Sequence, residues 1–338
     1  TSPSQIIMSE TYKAFVTSEI ETGVFTSELT NKSKDELPKE GLLIAVKYSS
    51  LNYKDALSSI GNKGVTRQFP HTPGIDAAGI VERSDSPDFE VGDAVIVTGY
   101  DLGMNTDGGF SEYICVPAHW AIKCPEGLTL AESMQIGTAG LTAAMCIDKL
   151  QSQGVLPENG PVLVTGATGG VGTMAVRILS NLGYQVSAVT GKMEAESFLK
   201  SLGAKEVILR QTLEEENNRP LLKATYAGAI DTVGGVILAN VLKSIAYNGA
   251  VAACGLVHSP QLPTTVFPFI LRGIGLLGVD SAEASAAWRQ KLWHLLATTW
   301  KPNIPADSIK NVPLAQIKPE IDLILQGKQV GRVLVEIH

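Results

Sequence analysis

Pro161-Val-Leu-Val-Thr-Gly-Ala-Thr-Gly-Gly-Val-Gly-Thr-Met-Ala175 is the stretch whose reading decides the rest. The apolar run Val162 to Val164 stops at Gly166, Gly169, Gly170 and Gly172, and beyond it the period changes. Val171, Met174, Ala175, Ile178, Leu179 and Leu182 recur at i, i+3, i+4, i+7, i+8 and i+11, one face of a helix that Gly183 closes. A second apolar run, Gln185 to Thr190, follows at once. Strand, glycine turn, helix and strand make a βαβ unit whose first turn leaves backbone N–H groups open to a pyrophosphate. Thr168, Gly169, Gly170 and Val171 are therefore candidate cofactor contacts. The turn reads Ala167-x-Gly169-x-x-Gly172, with alanine where the first glycine of a dinucleotide fingerprint usually stands. Alone it would also fit a tight turn in another α/β protein; the strand before it and the helix after it favour the nucleotide.

Length and composition set bounds. A chain of 338 residues suits two domains with sizeable cores. Hydrophobic content of 44% with 18% charged residues is that of a soluble enzyme, and 33 glycines imply many tight turns. A net charge of −7 argues against nucleic acid or an anionic membrane as the main partner. No apolar run reaches the ~18 residues of a membrane span. Thr1 to Met8 has neither the basic start nor the apolar stretch of a signal peptide, and reads as a loose tail. Cys115, Cys124, Cys146 and Cys254 form no Cys-x-x-Cys pair. They allow two disulfides, but buried reduced thiols in a cytoplasmic protein are the better reading.

Residues 11–125 are β-rich, with strands at Leu42–Tyr48, Gly79–Glu82 and Ala94–Val97 between turn clusters such as His71-Thr-Pro-Gly74 and Asn105-Thr-Asp-Gly-Gly109. This spacing suggests a small barrel or sandwich. Thr129-Leu-Ala-Glu132 is a capping box opening a helical stretch to about Leu150, interrupted at Gly137-Thr-Ala-Gly140. From Pro161 strands at 162–165, 185–190, 206–209, 227–231 and 249–254 alternate with helices, including one over 234–246. Ile274–Val279 is a further strand, 283–300 a helix, and Val330–Ile337 a strand returning to the first domain.

Several phrases together resemble a known family. Ser49-Ser-Leu-Asn-Tyr-Lys-Asp-Ala-Leu57, Pro73-Gly-Ile-Asp-Ala-Ala-Gly79, Val91-Gly-Asp-Ala-Val95 and Gly108-Gly-Phe-Ser-Glu-Tyr113 resemble the GroES-like domain of medium-chain dehydrogenases/reductases. Gly137-Thr-Ala-Gly-Leu-Thr-Ala143 and the 162–175 turn resemble the cofactor domain of that superfamily. Ala229-Ile-Asp-Thr-Val-Gly234, Val251-Ala-Ala-Cys-Gly-Leu256 and Pro268-Phe-Ile-Leu-Arg272 look like its YhdH/AcuI branch. The resemblance implies an α/β chain with a GroES-like β-barrel catalytic domain, residues 1–130 and 282–338. Between them, residues 131–281 are expected to form a Rossmann domain with a doubly wound parallel sheet.

In the superfamily's zinc enzymes a Cys, a His–Glu pair and a further Cys or acid hold the metal. The matching positions here are Asn52, Ile75-Asp76 and Ile136-Gly137, and the five histidines share no ligand-like spacing. No metal is expected, which shifts the chemistry to an already electrophilic substrate. NAD-selective sites carry an acid at the end of the second strand, roughly 20 residues after the glycine turn. Here the strand ends Thr190-Gly191-Lys192, a hydroxyl and an ammonium suited to a 2′-phosphate, and the family adds an Arg matching Arg210. The alternative for Lys192 is a solvated lysine at a helix start.

The resemblance thus implies NADPH, with Leu256 as another cofactor contact. It implies hydride transfer to the β-carbon of an α,β-unsaturated thioester, acrylyl-CoA giving propionyl-CoA. Tyr53 is the candidate contact and proton donor, with Asn52 and Asp55 beside it, though Asp55 also fits a turn cap. Arg67 and Arg272 are candidates for CoA phosphates. A quinone or enone reductase, or a catalytically retired NADPH-binding protein, are the alternatives. The apolar strand Ile274–Val279, read as a sheet edge, implies a homodimer.

Overall fold

The computed structural model describes residues 10–338, so the tail expected over Thr1 to Met8 lies outside the described residues. Two strands absent from the sequence reading come first, β1 (Thr11–Glu21) and β2 (Val24–Ser33), an antiparallel hairpin that turns at Gly23. Then follow β3 (Leu42–Ser50), α1 (Tyr53–Ser59), β4 (Asp76–Arg83), β5 (Ala94–Thr98), β6 (Tyr113–Val116) and β7 (Ala121–Lys123). α2 (Leu130–Ser152) starts with the expected reciprocal box. The Thr129 N–H donates to Glu132 Oε1 and the Glu132 N–H to Thr129 Oγ1, each at 3.0 Å. Gly137, with φ 54° and ψ −160°, splits α2 where the interruption was read.

β8 (Val162–Val164), α3 (Gly170–Asn181), β9 (Val186–Thr190), α4 (Glu196–Leu202), β10 (Glu206–Leu209) and β11 (Tyr226–Asp231) come next. After them stand α5 (Gly235–Lys243), β12 (Ile245–Ala253), α6 (Phe267–Arg272), β13 (Gly275–Gly278) and α7 (Ala286–Ala297). β14 (Ile309–Pro313), α8 (Ile317–Leu325) and β15 (Arg332–Glu336) complete the chain. Among the described residues no helix is long and apolar enough to cross a membrane.

The chain divides into two compact units. One runs through Gly137 and takes up Asn311–Lys328 and Val333–His338; the other comprises Thr138–Lys310 and Gln329–Arg332. Residues 282–310, expected with the catalytic domain, group with the second unit. The reason is a set of long-range bonds that no local pattern shows. Trp288 Nε1 donates to Asp148 Oδ2 at 2.8 Å, tying α7 to α2. Arg177 of α3 donates to the Pro302 carbonyl at 2.9 Å.

In the first unit, strands run in the order β14-β15-β3-β4-β5-β7, with β6 also paired to β3. Leu42, Ile44 and Val46 alternate along β3 and bury against Val81, Val95, Val97 and Ile114. A second cluster packs Phe15, Leu51, Ala56 and Phe110 on Ile317, Ile321 and Val335, so both chain ends close one core. Each such aliphatic side chain contributes roughly 1.5–3 kcal/mol on burial.

The second unit is a parallel sheet in the order β10-β9-β8-β11-β12-β13. The chain winds outward from β8 through β9 to β10, then returns to the other side of β8 as β11. That reversal is a topological switch point, and ligands bind outside the strand carboxyl ends at such a place.

The first unit also buries His71. It is 3% exposed, its Nε2 hydrogen-bonds the Gly103 carbonyl at 2.8 Å, and its main chain pairs with Thr17. Burial pushes the His71 pKa down from the usual histidine value, against the Gly103 carbonyl and the charges of Asp107 and Asp101. The folded state therefore refuses a proton that the unfolded chain accepts below its pKa of about 6.5. Thermal melts should lose stability as pH falls through 6.5 and be insensitive to His71 above it. His71→Gln, which keeps a donor for Gly103, should flatten that acid limb; equal limbs in both proteins would refute the assignment.

Candidate cofactor and active site

The glycine turn is shaped by close approach. A Cβ on Gly172 would stand 2.1 Å from the Gly166 carbonyl oxygen, and one on Gly166, at φ 58°, 2.2 Å from Thr232 Oγ1. Both positions require glycine. α3 then starts at Gly170, with Gly169 exposed and no side chain over the first turn, so its free N–H groups can receive a phosphate. Thr168 and Val171 flank this opening.

One strand over, β9 ends on the buried Thr190, whose Oγ1 accepts from the Lys192 N–H at 3.0 Å. Lys192 Nζ donates to the Gln329 carbonyl at 3.2 Å and to Thr168 Oγ1 at 3.5 Å, so the ammonium sits beside the glycine turn. The Arg210 guanidinium lies over Gly191, where an added Cβ would meet its Cζ at 2.8 Å. Burial lowers the Lys192 pKa; Glu194 opposes this, and the charge of Arg210 lowers it further. Two cations repelling each other around one glycine suit a dianionic group. Thr168, Gly169, Gly170, Val171, Thr190, Gly191, Lys192 and Arg210 are thus brought together by the second unit. Arg210 is also held by Glu214 at 2.7 Å.

Sequence reasoning missed Thr165 and Asp231 at the switch point. Thr165 Oγ1 donates to Asp231 Oδ1 at 2.8 Å, while Asp231 Oδ2 accepts from the N–H groups of Gly234 at 2.8 Å and Val233 at 3.3 Å. Burial raises the Asp231 pKa despite these donors. The legible signal was an acid at a strand end followed by Gly234-Gly235. Leu256 follows β12 and is 62% exposed.

In the first unit, Asn52, Asp55 and Asp76 converge. Asp55 is fully buried; its Oδ2 accepts from the Asn52 N–H at 2.8 Å, the return half of a capping box, and its Oδ1 from the Ile75 N–H at 2.8 Å. Asn52 Nδ2 donates to Asp76 Oδ2 at 2.8 Å and to Asp55 Oδ2 at 3.2 Å. Ser50 donates to the same Asp76 oxygen at 2.7 Å. Burial, and then the neighbouring Asp76, push the Asp55 pKa up to about 7. Tyr53 is the first residue of α1 and is 40% exposed.

Two candidates are committed within the fold. Asp55 cannot reach a substrate directly, because every face of its carboxyl is enclosed; it supports the turn that carries Tyr53. Arg272 is held by the fold, its guanidinium donating to the carbonyls of Leu222 at 2.6 Å, Lys243 at 2.7 Å and Ile245 at 3.2 Å. Arg67 is exposed, its backbone N–H held by Asn105 Oδ1 at 3.0 Å. The Asn52 position offers an amide donor already committed to two carboxylates, a set that does not fit zinc. Among the described residues no three His, Cys, Asp or Glu side chains group to hold a metal ion.

The chain matches the family models of the alcohol dehydrogenase GroES-like domain over residues 38–126 and of the zinc-binding dehydrogenase over 170–298. It is 45% identical to YhfP of Bacillus subtilis, provisionally named a quinone oxidoreductase, over 90% of this chain and 93% of that one. The crystal structure of the same protein with NAD bound is similar at a TM-score of 0.94, covering 97% of this chain and all of that one. Acrylyl-CoA reductase AcuI of Ruegeria pomeroyi is 41% identical over 94% of this chain and 96% of its own. The yhdH oxidoreductase of Salmonella enterica, crystallised in complex with NADP, is 42% identical with a TM-score of 0.92, covering 96% of this chain and all of that one. With these extents and the glycine turn, the cation pair and the GroES-like sheet in hand, this chain belongs to the medium-chain dehydrogenase/reductase superfamily and, within it, to the family of the AcuI and YhdH proteins.

Proposed function

We propose that this chain is an NADPH-dependent reductase acting on the carbon–carbon double bond of an α,β-unsaturated thioester, converting acrylyl-CoA to propionyl-CoA. The observation that carries the cofactor is Lys192 and Arg210 meeting at Gly191, with no acid at the end of β9. The 41% identity to an acrylyl-CoA reductase supports the substrate.

When bound, NADPH supplies a hydride for the substrate's β-carbon. The chain's own residues do the rest. The free N–H groups at the start of α3 hold the pyrophosphate, and Thr190, Lys192 and Arg210 hold the 2′-phosphate. Tyr53 presents its hydroxyl from the exposed first turn of α1 to the thioester oxygen, where negative charge grows. Asn52, Asp55 and Asp76 fix that turn, which makes Asp55 a positioning residue. The exposed Arg67 is the residue we assign to the CoA phosphates.

Quinone reduction is the second reading, favoured by the 45% identity to YhfP. NADPH consumption across acyl-CoA thioesters and quinones tests both. Turnover with acrylyl-CoA supports the proposal, turnover with quinones alone the second reading, and turnover with neither a retired NADPH binder.

We place the protein in the cytoplasm, where four free thiols suit a reducing compartment. We also infer a homodimer. β13 is the edge of the parallel sheet, and α6, which precedes it in the chain, exposes Phe267, Ile270 and Leu271, with Val266 exposed at its N-cap and Ile270 75% exposed. Light scattering at micromolar concentration should give twice the chain mass, and a monomer would refute it.

Losing one charge-assisted contact costs about 1.5–3 kcal/mol, so Lys192→Ala should weaken NADPH binding about 10- to 100-fold and leave NADH binding nearly unchanged. Equal losses for both cofactors in fluorescence titrations would remove Lys192 from the 2′-phosphate.

Tyr53→Phe keeps the ring and removes only the hydroxyl. Turnover of acrylyl-CoA should fall by about 10²–10³-fold, the usual cost of one oxyanion donor. Full turnover would take the hydroxyl out of the mechanism and leave Tyr53 as a packing contact.

A further inference from the structure

The second unit also holds a cavity of about 390 Å³, formed by α5 and the loops around 216–220 and 263–267. It shares no lining residue with the glycine turn or with the cation pair at Gly191. Its size falls in the usual range of small-molecule sites. Val236, Ala239 and Pro263 give it an apolar wall, while Asn217, Arg219 and Lys243 give it a polar one. Lys243 stands apart. It is the last residue of α5 and 7% exposed, and among the described residues no carboxylate pairs with it. Its Nζ donates to the Asn217 carbonyl and to Asn217 Oδ1, each at 3.1 Å, and both acceptors are neutral. An ammonium has three N–H donors, so one is left over.

Asn217 is itself fixed. Its Nδ2 donates to Oδ1 of the buried Asn240 at 2.9 Å, and Asn240 Nδ2 donates to the carbonyls of Leu213 at 2.8 Å and Glu215 at 2.9 Å. Asn217 Oδ1 also accepts from the Arg219 N–H at 3.3 Å, so one amide ties both cationic residues to the cavity wall. The Arg219 side chain is exposed and has no ion pair among the described residues. Glu216 is the one acid among the lining residues and pairs with neither cation, while Glu214 is taken by Arg210 at 2.7 Å. Holding this loop to α5 needs hydrogen-bond donors but no charge, and the Asn240 amide already supplies them. A buried ammonium loses hydration that neutral acceptors replace poorly and an opposite charge replaces well.

We propose that this cavity binds an organic carboxylate with an apolar body, the head between Lys243 and Arg219 and the body against Val236, Ala239 and Pro263. The carboxylate supplies the counter-charge that Lys243 lacks and accepts its remaining N–H. A chain of net charge −7 repels anions at long range, so capture needs both the local cations and the burial of apolar surface. A bare inorganic anion meets only the first requirement. The site stands on these residues alone and does not depend on the reductase reading above.

Calorimetric titration of the full chain tests it, with octanoate as the probe, inorganic phosphate as a head without a body and octanol as a body without a head. Octanoate should bind once per chain and more tightly than either. Lys243→Met removes the buried charge and should weaken octanoate binding about 10- to 100-fold, the usual cost of one charge-assisted contact. Arg219→Gln changes an exposed side chain and should weaken it about 2- to 5-fold. Circular dichroism checks the fold of Lys243→Met, and if that variant does not fold, Arg219→Gln decides. No octanoate binding, or binding that the folded variants leave unchanged, would overturn the site; the second result would place the ligand elsewhere, as in the active-site cleft. Phosphate binding as tight as that of octanoate would overturn the apolar body, and equally tight octanol binding would overturn the role of the cations.

Discussion

A β-carbon on Gly172 would stand 2.1 Å from the Gly166 carbonyl oxygen, and the second unit depends on its absence. Without it, α3 begins directly against the end of β8 and buries Met174, Ala175, Ile178 and Leu179. The same close approach keeps the first N–H groups of α3 uncovered. It also fixes where β8 ends, so that Thr165 reaches Asp231 across the switch point, and Asp231 in turn holds the N–H groups that lead into α5. Cradle, switch point and the start of α5 are one hydrogen-bonded body. A side chain at Gly172 would push on all three at once.

Both units keep electrostatic arrangements that a fold selected only for stability would avoid. Lys192 and Arg210 share one glycine in the second unit, and Asp55 and Asp76 share one amide in the first. Such like-charge pairs mark sites shaped for function. Asp55 also sets a limit on the first unit. With its pKa raised to about 7, the folded state holds a proton that the unfolded chain releases from about 4, so this group's contribution to stability declines across that interval and is constant above it. His71 acts in the opposite direction, weakening the unit as pH falls below about 6.5. The acid and the base thus oppose each other between their pKa values.

What was legible in the sequence was local. The strand, turn and helix at 162–182, the Thr129–Glu132 box and the break at Gly137 all rest on contacts within a few residues, and they stand where they were read. The cations at 192 and 210 were legible as chemistry, although their meeting at Gly191 depends on β9 and β10 pairing in parallel. Among the elements missed, β1, β2, β14 and α8 owe their packing to distant segments. Phe15 and Ile321 share a core although about three hundred residues of chain separate them. Residues 282–310 carry no local sign of the unit they group with, since only folding brings Trp288 to Asp148. Asp76 read as a substitute in a metal motif, and nothing in its neighbours revealed that it would share Asn52 with Asp55.

That shared amide constrains the chemistry open to the first unit. A carbonyl that must be attacked directly needs strong polarisation, and Asn52 has little to offer, because its Nδ2 protons already serve Asp55 and Asp76. A conjugated thioester makes a smaller demand. Hydride addition at its β-carbon spreads the new charge through an enolate, whose oxygen needs one well-placed donor. In the proposed reading the half-exposed Tyr53 on the first turn of α1 supplies that donor, and the carboxyl groups of Asp55 and Asp76 act by holding that turn still. Burying Asp55 beside Asp76 is costly for the fold, but it fixes the geometry of the residue proposed to meet the growing charge.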